Sequence, residues 1–250
     1  METTKKQRIW EVDAFRGFCL LFVFASHLTY DMRDSFGFDF ALGFLDKLFE
    51  YGGAVFIVLS GLSATLGSKS LRRGLIVLGC GMLITLVTEV MIALDLLGAN
   101  NRIQFGVLHL IGTCMILYPF LKKLPTVFLA ILGAVLLGLG FWFSSLRLDV
   151  PASAYDIRNF LYVFGLRTRG FFSGDYFPLL PNLGWFTLGI VLGRLVYKNR
   201  QSLLPNFPSD FFLIRFLRFL GRHSLLFYLV HQPVFFGLFW LVGRIVLLFR

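Results

Sequence analysis

The stretch WEVDAFRGFCLLFVFASHLTYD, residues 10–31, is long and apolar enough to cross a bilayer, yet it contains ionisable side chains. In a helix that turns by about 100° per residue, Asp13, Arg16 and His27 fall on one stripe, and Asp31 lies one turn beyond His27. Such groups are costly in hydrocarbon, so the stripe is expected to face the protein interior and to serve a function. The alternative is an interfacial ion pair of Asp13 with Arg16, beside a buried, hydrogen-bonded histidine.

The composition of the 250-residue chain is typical of a polytopic membrane protein. Hydrophobic residues make up 57% of it, the mean hydropathy is +0.76, and only 15% of the residues are charged, against about 25% in soluble domains. The net charge of +10 fits basic cytoplasmic loops and anionic lipids, because no nucleic-acid-binding pattern accompanies it. Cys19, Cys80 and Cys114 each lie within apolar runs and are predicted to be free thiols.

Apolar windows predict an all-α fold in which residues 1–250 form a single transmembrane domain of about seven helices. The predicted spans are 11–31, 51–68, 74–96, 103–121, 125–143, 177–197 and 223–248. Segments 155–166 and 209–222 have apolar residues at helical spacing and are predicted to be short interfacial helices. The second of these contains Arg215, Arg218 and Arg222, for which anionic lipid is the expected partner.

The charges of the loops predict the orientation of the chain. Lysine and arginine dominate every second loop from the N-terminus onward, at Lys5, Lys6, Arg8, Lys69, Arg72, Arg73, Lys122 and Lys123. The intervening loop 32–50 is acidic and includes Asp39. By the positive-inside rule the N-terminus is cytoplasmic, in what we expect to be a bacterial inner membrane. Arg244 and Arg250, near the predicted outer end, run against this orientation.

Histidines and carboxylates are the predicted reactive groups of the chain. His27 and His109 lie at similar predicted depths in the outer half of the membrane, where a cavity could also contain Asp31, Asp175 and Glu89. Histidine exchanges protons near neutral pH, so this set is typical of a general base beside a bound acyl donor. For Glu89 an ordinary interhelical hydrogen bond is an equal alternative.

Other chemistries have less support in the sequence. The sequence contains neither the HxxxH nor the HExxH spacing that is typical of a metal site. It also lacks the GxSxG motif that is typical of a serine hydrolase. His231, in LVHQPV, is predicted nearer the middle or inner half of its span. In the second span, Ser60, Ala64 and Ser68 at four-residue spacing indicate close helix packing, or alternatively the lining of a narrow acyl passage.

Four motifs, in this order, resemble the DUF1624 proteins, small prokaryotic relatives of the heparan-α-glucosaminide N-acetyltransferase catalytic domain. They are DAFRG at 13–17 followed by His27, FGVLHLIG at 105–112, DYFPLLPNLG at 175–184 and GRHSLLFYLVHQPV at 221–234. The likeness runs from residue 8 to about residue 240. The spacing of Arg16 and His27 also resembles the first helix of the acyltransferase-3 family.

The resemblance implies transfer of an acetyl group from acetyl-CoA to an amino sugar, or to another amine or hydroxyl, across the membrane. His27 is then the base, Asp31 its orienting partner and His109 a further catalytic group. Substrate binding falls to Asp175, Glu89 and His231, and acetyl-CoA binding to Asp13, Arg16, Lys69, Arg72 and Arg73, because phosphates favour arginine and lysine.

The chain departs from the eukaryotic enzyme in two ways, one of which is that the eukaryotic enzyme has more helices and a luminal domain; the other concerns the catalytic histidine. That enzyme has an asparagine where His27 stands and its proposed catalytic histidine in the following loop, whereas loop 32–50 here contains no histidine. The expected partners are membrane lipids, acetyl-CoA and a sugar-like acceptor, without nucleic acid or metal; assembly into a homo-oligomer is left open. The rival functions are a proton-coupled solute carrier, for which no inverted repeat is visible, and a non-catalytic lipid- or partner-binding subunit.

The predicted orientation can be tested by labelling single cysteines from outside intact cells. Ser145→Cys should react with a membrane-impermeant thiol reagent, whereas Ser70→Cys should react only after lysis, because an odd number of predicted spans separates the two positions. The chain without an added cysteine is the control. Labelling of both positions from the same side would show that the predicted number of spans between them is wrong.

Overall fold

The computed structural model describes residues 8–36, 42–149 and 157–248, and its main elements are eight α-helices. The helices are α1 (Trp10–Phe36), α2 (Phe44–Leu66), α3 (Ser70–Ala93), α4 (Val107–Leu121), α5 (Thr126–Ser145), α6 (Leu179–Val196), α7 (Phe212–Arg222) and α8 (Ser224–Leu248). Ala99–Asn101 and Ile157–Phe164 are 3-10 helices, and β1 (Arg147–Leu148) pairs in parallel with β2 (Arg167–Thr168). The predicted all-α fold is confirmed. Lys5, Lys6, Asp39, Arg250 and the first two residues of segment 155–166 lie outside the described residues.

Within the described part of the chain, six helices are long and apolar enough to cross a membrane: α1, α2, α3, α5, α6 and α8. The chain is therefore an all-α integral membrane protein. The helix within the predicted span 103–121 is shorter than expected, because α4 has only 15 residues. Its length of about 22 Å is less than the thickness of the hydrocarbon core, about 30 Å. The first residues of the predicted span are extended instead: Phe105 pairs with Tyr176, and Gly106 is the N-cap. Labelling of the two cysteine positions also tests whether α4 crosses.

The second helix begins at Phe44, seven residues before the predicted start at residue 51. Asp46, in its first turn, accepts a hydrogen bond from the backbone N–H of Leu42 at 2.9 Å and forms an ion pair with Arg33 at 2.9 Å. A carboxylate in this position stabilises a helix start, because it satisfies a free N–H group and interacts favourably with the helix dipole. Residues that the charge pattern assigned to a loop are therefore helical.

The structure divides into two compact units. The first consists of Met1–Phe56 with Asn199–Arg250, and the second of Ile57–Lys198. The first contains α1, α7 and α8, whereas α3, α4, α5 and α6 belong to the second. That residues 1–250 act as a single domain stays a prediction.

In the first unit, α7 packs antiparallel against the beginning of α1. Gly17 lies against the backbone carbonyl of Leu217, and Gly221 lies against the carbonyl of Asp13, so a side chain at either glycine would overlap the other helix. The opposite face of α7 is apolar and exposed, and includes Phe212 and Phe216. The prediction of a helix within 209–222 is therefore confirmed, with one face buried on α1.

In the second unit, small residues let the helices approach closely. Gly140 of α5 lies against Pro181 of α6, and Gly61 of α2 lies against the backbone of Phe186. Lipid provides no hydrophobic force between helices, so their association depends on such close backbone approach. Ala64 is also part of the buried core, which supports the packing interpretation of the small residues in the second span.

Two glycines of α5 provide a matched test of this packing. At Gly140 an added Cβ would overlap Pro181, whereas at Gly138 nothing lies within 4 Å. We expect Gly140→Ala to destabilise the protein by about 1–3 kcal/mol, the usual cost of overpacking. Gly138→Ala should be neutral or stabilising by up to about 1 kcal/mol, because alanine favours helix more than glycine does. Thermal unfolding in detergent measures both, and equal effects would contradict the packing.

Candidate functional site

Asp13 is a buried carboxylate surrounded by arginines at the beginning of α1. It is 6% exposed. Arg16 approaches its Oδ1 at 3.3 Å, Arg222 approaches its Oδ2 at 3.3 Å, and Arg8 lies at 3.9 Å. Arg16 also donates to the carbonyl of Gly221 at 3.3 Å. The predicted pairing of Asp13 with Arg16 is therefore present, and Arg222 of α7 adds a second close partner that the sequence interpretation had assigned to lipid.

The remaining arginines of α7 differ in their surroundings. Arg218 donates to the backbone carbonyl of Ser209 at 3.1 Å, which holds it to the segment that precedes the helix. Arg215 is exposed. Two of the three arginines of α7 therefore make contacts within the protein, and Arg215 retains anionic lipid as its predicted partner.

Further along α1, His27 contacts α8. Its Nδ1 accepts a hydrogen bond from the side-chain amide of Gln232 at 2.9 Å, and its ring centroid lies 5.0 Å from that of His231. Asp31 follows one turn later on α1, and its Oδ2 is buried. The structure therefore brings His27 and His231 together, and Gln232 makes the contact at Nδ1. The orienting role of Asp31 stays a prediction.

His231 is enclosed by aromatic side chains of both helices. It is 6% exposed, and the rings of Phe24, Tyr228 and Phe235 lie 5.0, 5.1 and 5.7 Å from its own. Its Nδ1 bonds to the backbone carbonyl of Tyr228 at 2.6 Å. Its Nε2 is buried and has no hydrogen-bond partner among the residues that the structure describes. A buried imidazole nitrogen without a partner is costly unless a ligand or proton uses it.

In the second unit, His109 lies at the amino end of α4 with both ring nitrogens in hydrogen bonds. Nδ1 accepts from the backbone N–H of Gly106 at 3.2 Å, so Nε2 carries the proton that is donated to the Thr85 hydroxyl at 3.2 Å. The ring also packs on Gly81, where an added Cβ would lie 3.0 Å from it. These contacts favour a role in which His109 shapes the site, and its predicted catalytic role stays a prediction.

Asp175 lies at the same end of α4 as His109. Its Oδ2 accepts from the backbone N–H of Val107 at 3.1 Å. It also lies so close to Gly106 that any side chain there would overlap the carboxylate. A carboxylate at a helix amino end is stabilised by the free N–H groups and the helix dipole. His109 and Asp175 therefore lie at the same end of α4, and the predicted cavity that also contains His27, Asp31 and Glu89 stays a prediction.

Glu89 forms an ion pair with Arg102, with 2.7 Å between Oε1 and Nε and 3.1 Å between Oε2 and Nη2. The two side chains are 39% and 40% exposed, so this is a half-exposed ion pair in which Nη2 of Arg102 donates the hydrogen bond. The partner that the sequence requires for Glu89 is thus Arg102. Substrate binding by Glu89 stays a prediction.

The segment before α6, next to Asp175, is held in place by contacts of Tyr176. The Tyr176 hydroxyl donates to the backbone carbonyl of Tyr162 at 2.6 Å, and the Arg167 guanidinium lies 5.6 Å from the Tyr176 ring centroid. Burial raises the pKa of Tyr176 to about 12, although Arg167 opposes the shift. The phenol is therefore protonated, and able to donate this bond, throughout the physiological pH range.

The basic residues assigned to acetyl-CoA lie at two places. Lys69, Arg72 and Arg73 are exposed at the amino end of α3, whereas Asp13 and Arg16 are in the cluster at the beginning of α1. Within the described ranges 8–36, 42–149 and 157–248, no group of three or more His, Cys, Asp or Glu side chains is placed to hold a metal ion.

Sequence reasoning missed Gln232 and the inward role of Arg222. Gln232 follows His231 directly and is a polar residue within an apolar span, which was an available signal. For Arg222 the signal was Gly221 beside it, since a small residue at a helix end indicates close approach of another helix. Thr85 was also missed, because a lone threonine in an apolar helix has no distinguishing pattern.

The Asp13 cluster predicts a measurable coupling energy. In a double-mutant cycle of Asp13→Asn and Arg222→Gln, we expect an interaction of about 1–3 kcal/mol, because the carboxylate is buried. Asp149 and Arg169 are a matched control pair at 2.9 Å, with side chains that are 74% and 75% exposed, and should couple by less than about 1 kcal/mol. Reversible unfolding in detergent measures both cycles, and a larger coupling in the control pair would contradict the cluster.

Comparison with known proteins identifies the family of the chain. Residues 8–233 match the family described as heparan-alpha-glucosaminide N-acetyltransferase, catalytic. Neither a search of curated proteins nor a search of solved structures found a match. The match covers most of the chain and contains α1, the amino end of α4, Asp175 and both histidines of the α1–α8 contact. The chain therefore belongs to the heparan-alpha-glucosaminide N-acetyltransferase catalytic family.

Proposed function

We propose that this membrane protein transfers an acetyl group from acetyl-CoA to an amine or hydroxyl acceptor, with the His27–His231 pair at the reacting centre. The family match supports an acyltransferase-like activity. One observation carries the residue assignment: two imidazoles with centroids 5.0 Å apart, one of which has a buried Nε2 without a hydrogen-bond partner among the described residues.

The pair fits the chemical need of acyl transfer. A thioester is already activated, whereas an amine or alcohol becomes a good nucleophile only as it loses its proton. A positioned imidazole that takes this proton contributes about 10²–10⁴-fold in rate. The aromatic rings around His231 exclude water, which strengthens hydrogen bonds and charge interactions at the reacting atoms.

The donor is proposed to bind through its phosphates at basic residues. Lys69, Arg72 and Arg73 are exposed at the beginning of α3 and carry no acidic partner in that helical turn. Arginine and lysine suit phosphate because they donate several charge-assisted hydrogen bonds. In the first unit, Arg16 forms an ion pair with Asp13, and the part of both residues in donor binding stays a proposal.

The acceptor is proposed to be an amino sugar or a similar amine or hydroxyl. Asp175 and Glu89 lie within the second unit in defined hydrogen bonds or ion pairs, and both stay proposed acceptor contacts. The hydrogen bonds of His109 support an organising role at this end of α4. We propose that the N-terminus lies in the cytoplasm, because of the loop charges, and that the membrane is a bacterial inner membrane, because of the resemblance to prokaryotic DUF1624 proteins.

A proton-coupled carrier would also contain buried ionisable groups in its spans. The family match favours a transferase over a carrier, because it is to a catalytic family. The two functions are separated by the product: an acyltransferase consumes acetyl-CoA in proportion to the acetylated acceptor formed, whereas a carrier releases its solute unchanged.

The direct test is acetyl transfer by purified protein in liposomes, with radiolabelled acetyl-CoA and a panel of amino sugars. We expect His27→Ala to reduce turnover by about 10²–10⁴-fold, because it removes one member of the reacting pair. His223→Ala is the matched control, since His223 is exposed at the end of α7, and should retain activity.

Unfolding temperature and elution profile must be unchanged in both variants for the comparison to hold. Full transfer by a well-folded His27→Ala protein would remove His27 from the mechanism. Wild-type protein that consumes no acetyl-CoA with any acceptor of the panel would contradict the proposed activity itself.

A further inference from the structure

We infer that the two histidines divide the chemistry between them: Nε2 of His231 takes the proton of the acceptor, while the Nε2–H of His27 donates a hydrogen bond to the thioester oxygen. This division rests on the proposed acyl transfer and goes beyond it, because the sequence alone assigned the base to His27. Two hydrogen bonds made by residues of α8 determine which nitrogen of each ring holds the proton.

The proton of His231 is placed by Tyr228. A backbone carbonyl oxygen accepts hydrogen bonds and never donates them, so the 2.6 Å contact requires a proton on Nδ1 of His231. In the neutral ring the other nitrogen, Nε2, then has a lone pair. That atom is buried and without a hydrogen-bond partner in the described residues. It is the atom of the pair that is ready to accept a proton.

The proton of His27 is placed by Gln232. The side-chain amide nitrogen donates to Nδ1 of His27 at 2.9 Å, so Nδ1 holds the lone pair and the proton of the neutral ring is on Nε2. His27 in this state is a hydrogen-bond donor at Nε2. Because Gln232 directly follows His231, a single turn of α8 sets both rings in opposite tautomers.

Opposite tautomers are what one acyl-transfer site needs. A donor aimed at the carbonyl oxygen stabilises the negative charge that develops as the nucleophile attacks, and one such donor is commonly worth about 10²–10³-fold in rate. A base beside it removes the proton of the nucleophile. The rings are tilted by 59° with centroids 5.0 Å apart, so both can reach a small reacting group at the same time.

In the proposed transfer, both histidines begin and end as neutral imidazoles. The acceptor nitrogen or oxygen forms a bond to the acetyl carbonyl carbon while its proton passes to Nε2 of His231. The carbonyl oxygen carries negative charge against the Nε2–H of His27. The carbon–sulfur bond breaks, the carbonyl re-forms, and the proton on His231 passes to the leaving thiolate, which gives acetylated acceptor and CoA with both histidines neutral again.

The tautomers can be measured without any activity. Solid-state NMR of ¹⁵N-histidine-labelled protein in lipid distinguishes the protonated from the unprotonated ring nitrogen, and single His→Gln variants assign the signals. We expect Nδ1–H for His231 and Nε2–H for His27. Gln232→Leu should shift the His27 signals and leave those of His231 in place. The same tautomer on both rings, or the reverse assignment, would overturn the inference whatever the enzyme does.

The turnover of histidine variants provides a second, independent test. Glutamine retains an N–H donor but cannot act as a base. His27→Gln should therefore lower turnover by about tenfold or less, whereas His231→Gln should lower turnover by about 10²–10⁴-fold. Added imidazole should restore part of the turnover of His231→Ala and none of that of His27→Ala. Rescue of His27→Ala instead would assign the base to His27.

These outcomes are separable from failure of the proposed function. If wild-type protein transfers no acetyl group while the NMR signals show opposite tautomers, the tautomers are as inferred, and the proposed acyl transfer with the roles assigned in it is wrong. If wild-type protein is active and the tautomers are as expected, but His231→Gln retains full turnover, the division of roles is wrong and the acyltransferase stands.

Discussion

Every polar group that α1 carries into the apolar layer has to be paired by the protein, because lipid offers it no hydrogen bond. This requirement explains the partners of α1. Asp13 and Arg16 are covered by α7, which approaches closely through Gly17 and Gly221. His27 is covered by α8 through Gln232 and His231. The packing of α7 and α8 against α1 thus follows from the same polar stripe.

The second unit meets the same requirement at one helix end. The free N–H groups at the beginning of α4 are satisfied by the Asp175 carboxylate and by Nδ1 of His109. Gly106 is needed there because a larger residue would displace the carboxylate. A short, well-capped helix of 15 residues therefore stands where hydropathy predicts a longer span.

The sequence predicted the all-α membrane fold and the positions of the long helices, because the length of an apolar run determines whether it can span a membrane. It predicted that His27 and Asp13–Arg16 lie on one stripe of α1, since this is a local property of helix geometry. It did not predict that His231 contacts His27, because their separation in the chain is long and depth estimates depend on where each helix begins. Glu89 needed a partner, yet nothing local identified Arg102.

The sequence also could not predict the direction of the hydrogen bonds that His27 and His231 make. Which ring nitrogen holds a proton depends on a backbone carbonyl and an amide that only the folded α1–α8 contact places. For His109 the contacts are an amide of the backbone and a threonine: its ring nitrogens bond to the N–H of Gly106 and to the Thr85 hydroxyl, and its catalytic role stays a prediction. Residue type therefore identified candidates, and the structure adds the hydrogen-bond partners of each.

The central claim is that acetyl-CoA presents its thioester to the α1–α8 histidine pair. The most direct measurement is an electron cryo-microscopy map of the purified protein with a non-hydrolysable acetyl-CoA analogue in lipid nanodiscs. We expect analogue density whose carbonyl carbon lies between Nε2 of His27 and Nε2 of His231, within hydrogen-bond reach of the carbonyl oxygen for His27. Density that places the acyl end away from both histidines would contradict the account.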